Sequence, residues 1–332
     1  MHDIALPLLI ALVALALAFD FLNGLHDAAN SIATVVSTQL LSPVQAVIFA
    51  AVGNFAAYWI VGLHVAETVG KGIIDKDIVS PAVVFGALIG AMFWNIATWL
   101  KGIPSSSSHA LIGGLLGAGV AAAGFGAIET AGTAKTILAI FLSPLLGFLI
   151  AMVLMLVTSV AFRRSTPRKA NTTFKLLHLC SSAAYSISHG GNDAQKTMGI
   201  ITVLLYSTGY LGGEFHVPEW VVISCYAAIS LGTLSGGWRI IRTMGTGLTK
   251  LDHHSGFCAS TAGSIVVFGA SAMGIPVSTT HAITGSVVGT GAARRTSAVR
   301  WTVATRVVTA WFITIPASAA VGAAFYLLTR LF

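Results

Sequence analysis

Two kinds of polar segment occur twice in this chain, in the same order each time. The stretch Gly102-Ile103-Pro104-Ser105-Ser106-Ser107-Ser108-His109-Ala110 returns as Gly274-Ile275-Pro276-Val277-Ser278-Thr279-Thr280-His281-Ala282. Gly24-Leu25-His26-Asp27-Ala28-Ala29-Asn30 is echoed by Gly190-Gly191-Asn192-Asp193-Ala194-Gln195-Lys196. Asp27 and Asp193 lie 166 residues apart, His109 and His281 172. The residue types suggest a chemistry. Ser105, Ser106, Ser107 and Ser108, with Ser278, Thr279 and Thr280, are hydroxyl donors that follow a Gly-Ile-Pro break. A proline at a first helical position would leave backbone N–H groups free at a helix start. Such a start, with hydroxyls beside it, holds an anion, and two facing copies would surround a tetrahedral oxyanion.

The acidic pair carries the complementary chemistry. An ionised carboxylate inside a membrane costs roughly 3 kcal/mol or more without partners. Asn30 and Asn192 supply amide oxygens, and with the carbonyls of broken helices they would complete hard-oxygen sites for sodium on Asp27 and Asp193; the acids can equally take up a proton. The plainer alternative has each acid cap a helix or pair with a base such as Lys196, which either neutralises an acid or attracts an anion. His26 and His189 flank the acids, and His109 and His281 follow the hydroxyls, all able to titrate near neutral pH. For His109 and His281 the simpler expectation is a buried ring donating one hydrogen bond. Ser and Thr also serve as small packing residues in membrane helices. Duplication with the same lead and the same His-Ala tail weighs against packing alone.

The elements that must position these groups are membrane helices. The chain has 332 residues, of which 55% are hydrophobic and 9% charged, and a mean hydropathy of +0.86. That is too little charge to cover a water-facing globule of this size. Apolar stretches of spanning length are expected at 4–22, 44–63, 79–100, 136–162, 218–236 and 300–329. Four further pieces, 103–123, 174–187, 197–211 and 257–293, contain or border the polar motifs and are the broken or re-entrant candidates. No period-2 alternation suggests barrel strands. Met1-His2-Asp3-Ile4 lacks the basic start of a signal peptide, so the first apolar run is kept as a helix. Cys180, Cys225 and Cys258 have no metal-ligand spacing and are expected to be packing residues. The net charge of +7 sits in short loops, where it sets topology, and does not call for nucleic acid.

Arg163-Arg164-Ser165-Thr166-Pro167-Arg168-Lys169 divides the chain into 1–162 and 174–332, joined by a basic link at 163–173. This link and the loops at 239–250 (Arg239, Arg242, Lys250) and 294–306 (Arg294, Arg295, Arg300, Arg306) are expected on the cytoplasmic face; the loop at 212–219, with Glu214 and Glu219, is expected outside. Trp99, Trp220, Trp238 and Trp301 sit at span ends, where indoles favour headgroups. Counting spans from the basic loops puts the Gly102-Ile103-Pro104 turn inside and the Gly274-Ile275-Pro276 turn outside. Opposite directions are the mark of an inverted repeat. The expected fold is therefore all-α and polytopic, with two inverted repeats, broken or re-entrant helices and roughly 10–12 membrane segments. Such an arrangement is that of a transporter with one shared midplane site.

Gly190-Gly191-Asn192-Asp193 resembles the duplicated Gly-x-Asn-Asp-type motif of the inorganic phosphate transporter (PiT) family, and the likeness extends over nearly the whole chain, including Asn23-Gly24-Leu25-His26-Asp27-Ala28-Ala29-Asn30. The first copy has His26 where the family pattern has Asn, which resembles the bacterial low-affinity branch. The resemblance implies secondary active uptake of phosphate, bare or as a complex with a divalent metal, by symport with H⁺ or Na⁺. It further implies a multi-pass protein of the cell membrane, surrounded by lipid, compatible with a homodimer and without a resident cofactor. Related permeases carry sulfate, which is the alternative substrate. An intramembrane hydrolase is disfavoured because no Gly-x-Ser-x-Gly elbow occurs and a nucleophile is needed once, not twice. A passive anion channel fits the buried acids poorly.

Overall fold

The computed structural model describes residues 5–331; the expectation for Met1–Ile4 lies outside them. Among the described residues there are twelve α-helices: α1 (Leu6–Ser37), α2 (Pro43–Ala56), α3 (His64–Lys71), α4 (Pro81–Leu100), α5 (Ser107–Ala123), α6 (Thr130–Ala161), α7 (Pro167–Ser207), α8 (Glu219–Ser235), α9 (Trp238–Arg242), α10 (His253–Ala272), α11 (Thr279–Arg294) and α12 (Trp301–Leu328). Short 3₁₀ and π turns join some of them. The β-pairing among these residues is one isolated bridge, Ile74 to Ile128.

Helices α1, α4, α6, α10 and α12 are each long and apolar enough to cross a membrane. The expected span at 44–63 is instead a broken one, in which α2 with its 3₁₀ extension and α3 meet at a bend of 84°. The expected span at 218–236 is the shorter α8, of 17 residues. The largest departure is α7. The pieces at 174–187 and 197–211 are a single helix of 41 residues running unbroken through the acidic motif. α7 begins at Pro167, capped by the Thr166 hydroxyl, so most of the expected 163–173 link is already helix.

Small residues explain how so many helices pack so closely. A Cβ on Gly117 of α5 would lie 2.0 Å from the Ala319 carbonyl oxygen of α12, and one on Gly113 2.2 Å from Ser318 Oγ. On the other side, Gly285 and Gly289 of α11 meet the Pro144 and Phe148 carbonyls of α6 at 2.1 and 2.4 Å. Gly114 of α5 likewise rests on the Ala87 carbonyl of α4. Each hydroxyl-led helix thus packs on a long, proline-containing helix from the opposite half of the chain: α5 on α12 (Pro316), and α11 on α6 (Pro144). The two halves interlock. A third close pair, α1 with α8, uses Gly24 against the Ile229 carbonyl and Gly232 against the Phe21 carbonyl.

Polarity is distributed as a bilayer requires. Helix α6 leaves Leu138, Phe141, Leu145, Leu149, Val153 and Leu156 exposed, whereas Asp20, Asp27, Asp193 and Lys196 are buried. Hydrocarbon outside and charge inside is the pattern in which ionisable residues find partners within a helix bundle.

Candidate functional site

The two hydroxyl segments do form matched helix starts, but not as the prolines suggest. Gly102 and Gly274 both adopt left-handed backbone, with φ of +63° and +67°, which a residue with a Cβ takes up only with strain. Pro104 and Pro276 lie in the non-helical leads that follow, not at a first helical position. Ser106 and Ser278 are the N-caps, accepting from the backbone N–H groups of His109 and His281 at 3.2 Å each. Ser105 turns away toward α4, donating to Thr98 Oγ1 at 2.8 Å. The hydroxyls presented at the first turn of each helix are therefore Ser107 and Ser108 on α5, and Thr279 and Thr280 on α11.

The acids come from unbroken helices, which corrects the expectation of broken-helix carbonyls beside them. Asp27 is held within α1 and Asp193 within α7. Ser107 Oγ lies 2.6 Å from both Asp27 Oδ2 and Asn23 Oδ1 and gives its one proton to either. Thr280 donates to Asp27 Oδ1 at 3.3 Å, and His26 Nδ1 stands 2.8 Å from the same oxygen. Thr279 donates to Asp193 Oδ2 at 3.0 Å. Asn30 reaches across from α1 to Thr280 Oγ1 at 2.9 Å, and Asn192 from α7 to Ser271 at 2.8 Å. Hydroxyls and acids, assigned to separate tasks by residue type, are in direct contact.

Lys196 is the hub of this arrangement. Its ammonium donates to Asp193 Oδ1 and to Ser108 Oγ, each at 2.5 Å, and to the Val277 carbonyl at 2.7 Å. Its three donors are thus all engaged, and they tie α7 to both helix starts. His189 completes the cluster, with Nε2 3.2 Å from Asp193 Oδ2 and Nδ1 3.0 Å from Asn54 Oδ1. Asp27, His189 and Asp193 each place a ligand atom within 4.8 Å of the others. Asn30 Oδ1 and Asn192 Oδ1 are buried acceptors with no partner among the described residues. Carboxylate and amide oxygens of this kind suit a hard cation.

His109 and His281 meet each other where α5 and α11 converge. Their ring centroids are 4.4 Å apart and nearly perpendicular, and His281 stacks on Trp311 at 3.7 Å and faces the Ile140 backbone of α6. Their work is packing where α5 and α11 meet. Cys225 and Cys258 are buried as expected, while Cys180 is exposed; all three are free. Composition alone did not single out Asn23, Thr98, Asn54 or Tyr185, whose hydroxyl donates to the Thr279 carbonyl at 2.9 Å. Only Asn23 carried a usable signal, standing one helical turn before Asp27.

Two hydroxyl-bearing helix starts meet two buried acids and one lysine inside a bundle with an apolar exterior, an arrangement suited to a membrane transport protein. The phosphate transporter family model matches residues 23–322, and the chain belongs to that family. It is 61% identical to a probable low-affinity inorganic phosphate transporter of Rhizobium meliloti (strain 1021), over 97% of both chains. It is 44% identical to one of Bacillus subtilis (strain 168), over 99% of this chain and 100% of that protein. A solved structure described as the sodium-dependent phosphate transporter matches with a TM-score of 0.91 and 26% identity, covering 98% of this chain and 100% of that one. The relatives are transporters, so the chain is a multi-pass protein of the cell membrane rather than an enzyme.

Proposed function

We propose that the protein takes up inorganic phosphate by symport with a cation, H⁺ or Na⁺, through alternating access. One observation carries the reading: the N-terminal turns of α5 and α11 converge on Asp27, Asp193 and Lys196 in a fully buried cluster. Phosphate enters between the two helix starts, where Ser107, Ser108, Thr279 and Thr280 exchange their contacts to the acids for contacts to its oxygens. Lys196 and the helix N-termini favour the negative charge. Ser106 and Ser278 keep the helix starts formed, and Ser105 anchors its lead to α4.

The carboxylates give selectivity and coupling. At neutral pH phosphate still carries a hydroxyl proton that Asp27 or Asp193 can accept, whereas sulfate has none to offer. A cation held by these acids with Asn30 and Asn192 lowers the charge that must cross the low-dielectric region. H⁺ or Na⁺ is thus a substrate, and phosphate moves either bare or with a divalent metal. The halves 1–162 and 174–332 act as inverted repeats, and rocking of one repeat-related bundle against the other opens the site to each side in turn. A passive pore is disfavoured by acids that are buried, one of them paired with Lys196.

Radiolabelled phosphate uptake into proteoliposomes, under separate sodium and pH gradients and with excess sulfate, tests this. Concentration of phosphate under one gradient, indifferent to sulfate, is the expected result. Sulfate transport in its place, or no accumulation under either gradient, overturns the reading.

A further inference from the structure

We propose that Asp20, on α1, takes up a coupling proton, at a position beside the central cluster. The proposal rests on the reading of the chain as a coupled phosphate carrier and names its ion. Asp20 stands seven residues before Asp27 and is fully buried. No charged group hydrogen-bonds its carboxylate oxygens. Two hydroxyls in the same region, Thr197 Oγ1 and Tyr226 OH, are also buried. Asn23 and Thr197 lie beside the carboxyl. The titratable groups facing it are Asp193 and Lys196 from α7, and Cys225 and Tyr226 from α8.

The contrast with Asp193 carries the argument. Asp193 has an ammonium, a hydroxyl and an imidazole around it, so its charge is satisfied. A charged Asp20 has no comparable partner, and an unpaired carboxylate away from water is relieved by a proton. Sodium would need several oxygen ligands. Asn23 Oδ1 already faces the Ser107 hydroxyl, and the carbonyls of α1 and α7 are engaged in unbroken helices. A proton needs only the one oxygen. A charged Asp20 would also compete with Asp193 for Lys196, which links its protonation to the hub that holds both helix starts.

The test compares wild type with Asp20→Asn, which keeps the shape of the neutral acid, in proteoliposomes with labelled phosphate. Two quantities are measured: phosphate exchange at equal pH, and accumulation under an inward proton gradient. Asp20→Asn is expected to keep exchange and lose proton-driven accumulation. Accumulation equal to wild type overturns the proposal, as does loss of exchange in a folded variant, which would make Asp20 part of phosphate holding. If Asp20→Asn yields no folded protein, Asp20→Ser must show the same split; failure of both to fold makes Asp20 structural and overturns the proposal too. Wild type that accumulates phosphate under sodium alone overturns the proton assignment while leaving phosphate transport intact. Wild type that moves no phosphate overturns the underlying reading instead.

Discussion

Lys196 and Asp193 form a buried pair whose members lean on each other, and removing one strands the other. Lys196→Met should destabilise the protein by about 3–5 kcal/mol, because Asp193 would lose the nearest opposite charge. Thermal unfolding in detergent measures this, and a wild-type midpoint would take Lys196 out of the hub role. Asp193→Asn strands the Lys196 ammonium and should carry a like cost, and in the protein that still inserts it should abolish coupled uptake; near-normal accumulation in that variant would remove the acid from the mechanism. The residues at this scale were largely legible, because acids and hydroxyl runs are rare in apolar sequence and each occurs twice. Tyr185 and Asn54 were not legible. A single tyrosine or asparagine on a helix carries no mark of the partner it meets, and Tyr185 reaches Thr279 only through the fold.

At the scale of elements, the helix caps set the geometry of the site. Ser278→Ala removes the acceptor for the His281 N–H and should cost about 0.5–2 kcal/mol, with weaker phosphate binding than the loss in folded yield explains. Calorimetric titration with phosphate checks it; unchanged affinity would reduce Ser278 to a packing residue. Gly117→Val would drive side-chain atoms into the Ala319 backbone and should separate α5 from α12, read as loss of monodisperse protein in size-exclusion chromatography. At the start of α10, burial pushes the Asp252 carboxyl up, but the Ser255 backbone N–H and the Arg294 guanidinium outweigh it and hold the group below the usual carboxylate range. A depressed carboxyl stabilises above its unfolded value and loses that contribution as pH falls through its folded one. Asp252→Ala should therefore lower the unfolding midpoint at neutral pH and make no difference in strong acid. The continuity of α7 was not legible, because Gly190-Gly191 reads as a break. In the structure the pair allows close approach: a Cβ on Gly190 would meet Asn54 Cα at 2.5 Å, and one on Gly191 would meet Val61 at 2.6 Å.

At the scale of the whole molecule, the membrane class and the twofold recurrence of its parts followed from composition and motif order. The interlocking of the halves did not. Nothing in a linear repeat says that α5 will lie on α12 and α11 on α6, since that exchange is decided by which small-residue faces meet. Its consequence is that the proposed site draws on both halves, the first supplying Asp27 and Ser107 and the second Asp193, Lys196 and Thr280. The most direct test of this shared site is to locate the anion itself. A structure determined with arsenate, a tetrahedral oxyanion visible by anomalous scattering, should show its arsenic between the Ser107–Ser108 and Thr279–Thr280 turns. A peak confined to some other cavity, with these turns still bonded to Asp27 and Asp193, would contradict the account.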